Sequence, residues 1–163
     1  MRKLKPVLLG IVIFSLLFYF LNSYFQHQNT SFDESLLKGP YPVERVVDGD
    51  TIICKVDGTR ERIRLIGIDA PESVKDNPDR ITEEGILSSE YLTDLLWRKS
   101  VFLEYDTEDR DQYDRLLAYV YLKEKKEYTM VNLLLVEEGY AVPFSVWPNV
   151  KYEMEIKKAG GGR

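Results

Sequence analysis

Acidic and arginine side chains recur at the ends of apolar, strand-like runs in this 163-residue chain. Four segments hold them: Val47-Asp48-Gly49-Asp50-Thr51, Arg62-Ile63-Arg64-Leu65, Ile68-Asp69-Ala70-Pro71-Glu72, and Gln112-Tyr113-Asp114-Arg115-Leu116-Leu117. Taken singly, the first reads as a hairpin turn and the third as a strand end followed by a proline turn. Arg64 reads differently. It stands between Ile63 and Leu65 in a strand that otherwise belongs to a core, and a buried arginine needs an anionic partner or ligand. Arg115 opens a second apolar strand in the same way. Hard cations such as calcium take carboxylate and carbonyl oxygens. Asp50, Asp69 and a backbone carbonyl near Ala70 can supply three, with water completing the set. Glu72 is placed to orient or deprotonate a water on the metal side. Arg64 and Arg115 can clamp a phosphate through planar, bidentate contacts and meet the charge of a five-coordinate transition state. These parts suffice for in-line hydrolysis of a phosphodiester.

Composition narrows the chemistry further. The single histidine, His27, lies at the foot of an N-terminal apolar run. That excludes histidine-general-base nucleases, serine triads and most zinc hydrolases. The single cysteine, Cys54, leaves no internal disulfide and no multi-cysteine zinc site, and its neighbours Ile52 and Ile53 make it a small core residue. The chain carries 22 Lys and Arg against 27 Asp and Glu; with Arg2, Lys3 and Lys5 set aside, 19 basic residues face 27 acidic ones, a formal net charge of −8. The overall field does not steer a polyanion to such a protein. If the substrate is a polyanion, its binding must rest on a few local cations and a metal.

The elements that position these residues follow from periodicity. Tyr41–Val47, Thr51–Val56 and Arg60–Ile68 read as three strands of a meander, joined at Asp48-Gly49-Asp50 and Asp57-Gly58. Thr82 to Lys99 has helical spacing with Leu87, Tyr91, Leu95 and Trp97 on its apolar side. Val101–Tyr105 and Leu116–Leu122 are two further strands. Tyr128 to Gly139 is a second helix stopped by its glycine, and Lys151 to Ala159 a third. Five short strands with a helix between the third and fourth suit an α+β, OB-type Greek-key barrel. The sequence divides into an N-terminal signal anchor or signal peptide over residues 1–25, a linker over 26–40 and the barrel domain over 41–163. Arg2, Lys3 and Lys5 followed by apolar Val7–Leu21 lead us to expect a membrane attachment or a secretory signal, with the remainder outside the cytoplasm.

The motifs V-D-G-D-T, R-x-R-L-x-G-I-D-A-P-E, Y-x-R-L-L-A-Y-V-Y, M-V-N-x-x-L-V-E-x-G-Y-A and P-N-V-K-Y run in that order from about Pro42 to Lys158. In this set and order the chain resembles the staphylococcal nuclease (thermonuclease) family. The resemblance implies a five-stranded OB barrel with about three helices, a calcium cofactor, and cleavage of DNA and RNA that leaves 3′-phosphate ends. Carried over by motif, it implies Asp50, Asp69 and Ala70 as metal ligands, Arg64, Glu72 and Arg115 as the catalytic trio, and Tyr113 as a phosphate contact. A monomer with no obligate protein partner is expected.

Three departures stand out. Asp114 occupies a position where many relatives have glycine, which adds a negative charge beside the expected phosphate. Phe144-Ser145-Val146-Trp147 precedes Pro148 where relatives carry base-stacking aromatics; Phe144 or Trp147 is a candidate to stack, and either is equally a core residue. The third helix is shorter than in the family, which predicts marginal stability. Two other readings compete with an active nuclease: a catalytically inactive OB-fold module that binds nucleic acid or protein, and a membrane-anchored structural protein. The second leaves the buried arginines unexplained.

Overall fold

The strand patterns and turn residues produce a closed barrel in the computed structural model, which describes residues 33–73 and 81–161. The N-terminal apolar run lies outside the described residues. Strands β1 (Lys38–Asp48), β2 (Thr51–Val56) and β3 (Thr59–Leu65) form the antiparallel meander. Asp57 and Gly58 both take positive φ, 48° and 89°, as a tight two-residue hairpin turn demands. Strand β5 (Ser100–Glu104) pairs with β1, and β6 (Leu116–Glu124) pairs with β5, all antiparallel. β6 then runs parallel to β3 through Ile63↔Leu116, Arg64↔Leu117 and Leu65↔Ala118. This pairing closes β1, β2, β3, β5 and β6 into a five-stranded barrel of the OB type. Strand β7 (Glu127–Met130) extends β6 as a hairpin, and short strands β4 (Ile68–Asp69) and β8 (Val142–Pro143) pair with each other. Helices α1 (Glu83–Leu96), α2 (Val131–Glu138) and α3 (Glu153–Gly160) complete the domain.

Inward-facing Ile52, Cys54, Ile63, Leu65, Val101, Leu103, Ala118 and Val120 fill the barrel. Cys54 is fully buried, and burial, aided by Glu44, pushes its thiol up to about 12. Asn132, in the first turn of α2, is fully buried; it accepts from Val120 N at 2.8 Å and donates to the Ile66 carbonyl at 2.8 Å. One amide thus ties a helix to the middle of β6 and to the bend after β3, and satisfies backbone groups that the barrel leaves open.

Four elements differ from the sequence-based expectation. β3 stops at Leu65, because the chain bends at Ile66-Gly67, where Gly67 has a φ of 82° that only glycine adopts freely. Ile68 and Asp69 thereby leave the barrel wall and pair with β8. Tyr128–Met130 are strand rather than helix: cross-strand pairing with Leu122 and Lys123 of β6 outweighs helical spacing for a segment rich in β-favouring side chains. The buried stripe of α1 is Gly85, Ser88, Leu92 and Leu96, whereas Leu87 and Trp97 are 50% and 65% exposed. Two small residues lie on the buried face because chain segments pack there closely. In α3, Ile156 is buried and Met154 is 81% exposed, so that helix covers the core with less than its apolar content suggests.

Candidate active site

The carboxylate half of the site is built on the first turn and the end of β3. Asp50 is 5% exposed, accepting from Thr51 Oγ1 at 2.9 Å and from Ala70 N at 3.0 Å. Arg64 points from the outer face of β3 into the same region. Its Nη2 donates to Asp69 Oδ1 at 2.8 Å, and its Nη1 makes an ion-pair contact with Asp50 Oδ2. That Nη1 is fully buried and forms no regular hydrogen bond. Burial pulls the Arg64 guanidinium below its ordinary pKa; the charge of Asp69 opposes this, and the like charge of Arg115 adds to it. The structure therefore brings Asp50, Asp69, Ala70 and Arg64 together around one positive centre.

The arginine half lies in a cleft of about 410 Å³ lined by Arg64, Arg115, Tyr113, Phe144, Trp147 and the backbone bend around Gly67, among others. Arg115 Nε donates to Asp111 Oδ2 at 2.6 Å, which leaves both its Nη groups for a ligand. Its guanidinium lies 5.4 Å from the centre of the Tyr113 ring. Phe144 is fixed through its backbone, which donates to the Gly67 carbonyl at 2.8 Å, while its side chain is 53% exposed. Trp147 is 82% exposed. Neither aromatic is a core residue. Glu72 is exposed, and its backbone carbonyl accepts from Thr82 N at 3.2 Å. It sits two residues beyond Ala70 and does not line the cleft.

Several residues that position the site escaped sequence reading. Asp48, read only as a turn residue, is buried and accepts from Gly49 N at 2.8 Å, Ser73 Oγ at 2.6 Å and Ser73 N at 3.3 Å. It anchors the far end of the Asp69–Glu72 segment to the first turn. Gly85 admits that segment: a Cβ there would lie 2.9 Å from the Pro71 carbonyl oxygen and collide with that of Glu72. Asp111 orients Arg115 and also accepts from the backbone of Tyr113 (2.9 Å) and Arg115 (3.0 Å). Burial acts to raise its carboxyl, but these bonds and the Arg115 charge more than offset it and hold the group below the usual carboxylate range. Asp114 has a φ of 62°, the left-handed geometry that glycine adopts most freely. Asn149 joins the Pro148 loop to the cleft wall, bonding both the N–H (2.8 Å) and the carbonyl (2.9 Å) of Glu108. An Asp–x–x–x–Arg spacing with a left-handed residue between was the signal available for Asp111.

The donor set fits a hard divalent cation. Asp50 and Asp69 approach one another closely enough for a single guanidinium to bridge them, so their mutual field favours a positive group there. Among the described residues no cluster of three or more His, Cys, Asp or Glu side chains gathers, so water would have to complete a shell around those two carboxylates; Ala70 meets Asp50 there through its N–H.

A barrel of this topology, with an acid-flanked arginine pair in a cleft beside its parallel closure, is a phosphate-directed enzyme of the OB class. Comparison with known proteins makes that specific. Residues 62–160, well over half of the chain, match the model of the staphylococcal nuclease homologue family, and the chain belongs to that family. It is 40% identical over 162 residues to a thermonuclease of Staphylococcus intermedius, covering 98% of this chain and 92% of that protein. It is 35% identical over 160 residues to a thermonuclease of Staphylococcus hyicus, with 96% and 92% covered. Endonuclease YncB of Bacillus subtilis (strain 168) is 37% identical over 112 residues, 68% of this chain and 51% of that protein.

Proposed function

We propose that this protein is a calcium-dependent nuclease that hydrolyses phosphodiester bonds of DNA and RNA and leaves 3′-phosphate ends. One observation carries the reading: Arg64 bridges Asp50 and Asp69 while sharing a cleft with Arg115. Two guanidinium groups on one cleft match a tetrahedral anion, and both are held ready by carboxylates. A calcium ion held by Asp50, Asp69 and the Ala70 carbonyl would screen the phosphate charge and make a bound water more acidic. Glu72, which does not line the cleft in this structure, is assigned the proton of the attacking water, whose oxygen bonds to phosphorus. The bond from phosphorus to the 5′-oxygen breaks, and that oxygen takes up a proton from solvent. Arg64 and the free Nη groups of Arg115 donate to the phosphate oxygens, whose charge grows in the transition state. Tyr113 contacts the phosphate from the cleft rim, and Phe144 stacks on a base.

The basic start and the apolar run of Val7–Leu21 support a place outside the cytoplasm, membrane-anchored or secreted. Cell fractionation that recovers the protein only from the cytosol overturns this. The test of the activity is digestion of single-stranded DNA and of RNA with calcium and with excess chelator, followed by end-group analysis. Calcium-dependent cutting to 3′-phosphate ends is expected. Undiminished cutting in chelator refutes the metal, 5′-phosphate ends refute the bond assignment, and binding without cutting points to an inactive module.

A further inference from the structure

The domain is acidic, yet one face of its barrel is basic. On β3 the side chains of Arg60, Arg62 and Arg64 fall on the outer face, alternating with inward-facing Glu61, Ile63 and Leu65. Strand pairing adds to this row. Lys55 of β2 lies directly opposite Arg60, and Arg45 of β1, Ile53 of β2 and Arg62 of β3 stand in one line across three strands. Arg45, Lys55, Arg60 and Arg62 are all exposed. Ile53, between two arginines, is 7% exposed, as expected where long aliphatic stems lie over an apolar neighbour. Glu44, at the irregularity of β1, pairs with Arg60 at 2.8 Å. Among the described residues no hydrogen bond or ion pair engages the side chain of Arg45, Lys55 or Arg62. Three uncompensated cations therefore stand on one sheet face of a chain whose net charge beyond the N-terminal segment is −8.

We propose that this face is an extended binding track for the sugar-phosphate backbone of a single-stranded nucleic acid, continuous with the cleft at Arg64. The inference rests on the nuclease reading above. Two arguments select this occupant. The first is charge: side chains two apart on one strand face stand about 6.5–7 Å apart, a spacing suited to successive phosphates of an extended strand. The second is continuity. Arg60 and Arg62 lead along one strand directly to Arg64, the residue that faces the cleft, so a strand lying on the row delivers one phosphate to the site. The track supplies locally the attraction that the overall charge withholds.

The test uses the full-length protein carrying R45Q, K55Q and R62Q together, checked by thermal melting. Rates are compared on long single-stranded DNA and on a dinucleotide, whose one phosphate reaches only the cleft. On the long strand kcat/KM should fall roughly tenfold at low salt. Its dependence on log salt should become shallower by about 2, since each phosphate of a single strand that is no longer neutralised reduces the slope by about 0.7. The dinucleotide rate should stay unchanged. Equal loss on both substrates, or no loss on either, overturns the proposal. So does unchanged DNA cleavage with lost binding to phosphatidylglycerol vesicles, which would assign the face to a membrane. Should the wild type cut neither substrate, the nuclease reading fails. The anisotropy of labelled single-stranded DNA then decides the track: weaker binding by the triple variant upholds it, and equal binding overturns it.

Discussion

Glu104→Gln should destabilise the domain by about 3–5 kcal/mol, within the range that a lost charge-assisted bond and a buried unsatisfied donor give together. Glu104 is 2% exposed at the end of β5. Its carboxylate accepts from Tyr121 Oη at 2.8 Å and from Tyr152 Oη at 3.0 and 3.1 Å, and it pairs with Lys151 Nζ. It therefore joins β5, β6 and the entry to α3. Glutamine keeps one acceptor but turns an amide N–H₂ toward a ring of donors. A charge-assisted bond, worth about 1.5–3 kcal/mol, is lost, and a buried donor is left unsatisfied at about 1–3 kcal/mol. Lys151 is 37% exposed, so Lys151→Met should cost less, about 1 kcal/mol or below. Urea denaturation followed by circular dichroism measures both, and the double variant should show a coupling above about 0.5 kcal/mol. The alkaline limb offers a second check. Burial acts to lower the Lys151 pKa, but the Glu104 bond and charge more than offset this, so the net shift is upward. Tyr121 is also raised, chiefly by burial and then by Tyr152 and Glu104. Groups raised in the folded state contribute stability that is whole below their unfolded values, about 10–10.4, and fades as pH climbs through the folded ones. Stability should therefore fall above about pH 10, less so in Tyr121→Phe. A Glu104→Gln cost under about 1 kcal/mol, with additive effects in the double variant, would refute the reasoning.

Four further outcomes are expected. Asp111→Ala should lower kcat by as much as about 10²-fold, because Arg115 loses its orienting partner, with Asp111→Asn falling less; an unchanged kcat shows that Arg115 needs no support. The depressed carboxyl of Asp111 stabilises the fold fully above its unfolded value near about 3.9, and this is lost as pH falls through the lower folded value, so Asp111→Asn should flatten the acid limb of stability. Asp114→Gly should raise stability by up to about 1 kcal/mol by relieving the left-handed backbone and should raise kcat/KM at low salt by removing a carboxylate near the cleft; a drop in melting temperature would show that its contacts to Arg110 matter more. Cys54 should resist a thiol reagent at pH 8 in the native state and react only as fast as the domain unfolds, and rapid labelling would contradict its buried position.

The barrel was legible because its strands alternate and its turns are punctuated by Asp-Gly pairs. The phase of α1 was not, since Gly85 and Ser88 carry no apolar signal and are buried to admit neighbouring chain rather than to fill a core. Tyr128–Met130 misled for a related reason: an apolar and aromatic run of this length fits a strand or a helix until its partner is known. The acid and arginine residues of the site announced themselves by breaking apolar strands. Asp48 and Asp111 did not, because a turn aspartate and an anchoring aspartate have the same local sequence, and only contacts with Ser73 and Arg115 separate them. Arg45, Lys55 and Arg62 align only when three strands are laid in register.

The parallel closure between β3 and β6 has a kinetic consequence. Ile63 meets Leu116 across more than fifty positions of chain, whereas the β1–β2–β3 meander is joined by turns of two residues. Local hairpins form in microseconds, but closing so long a loop costs entropy before any contact offsets it. The meander should thus organise first and the seam last, so that substitutions at Leu116 or Ala118 chiefly speed unfolding, while those at the Asp57-Gly58 turn slow folding. A molecule stopped before the seam zips leaves β3 and the Leu116–Ala118 start of β6 as two edges without their partner strand. Each is a template for a second copy of the chain, so the step that completes the cleft is also the one that guards against aggregation.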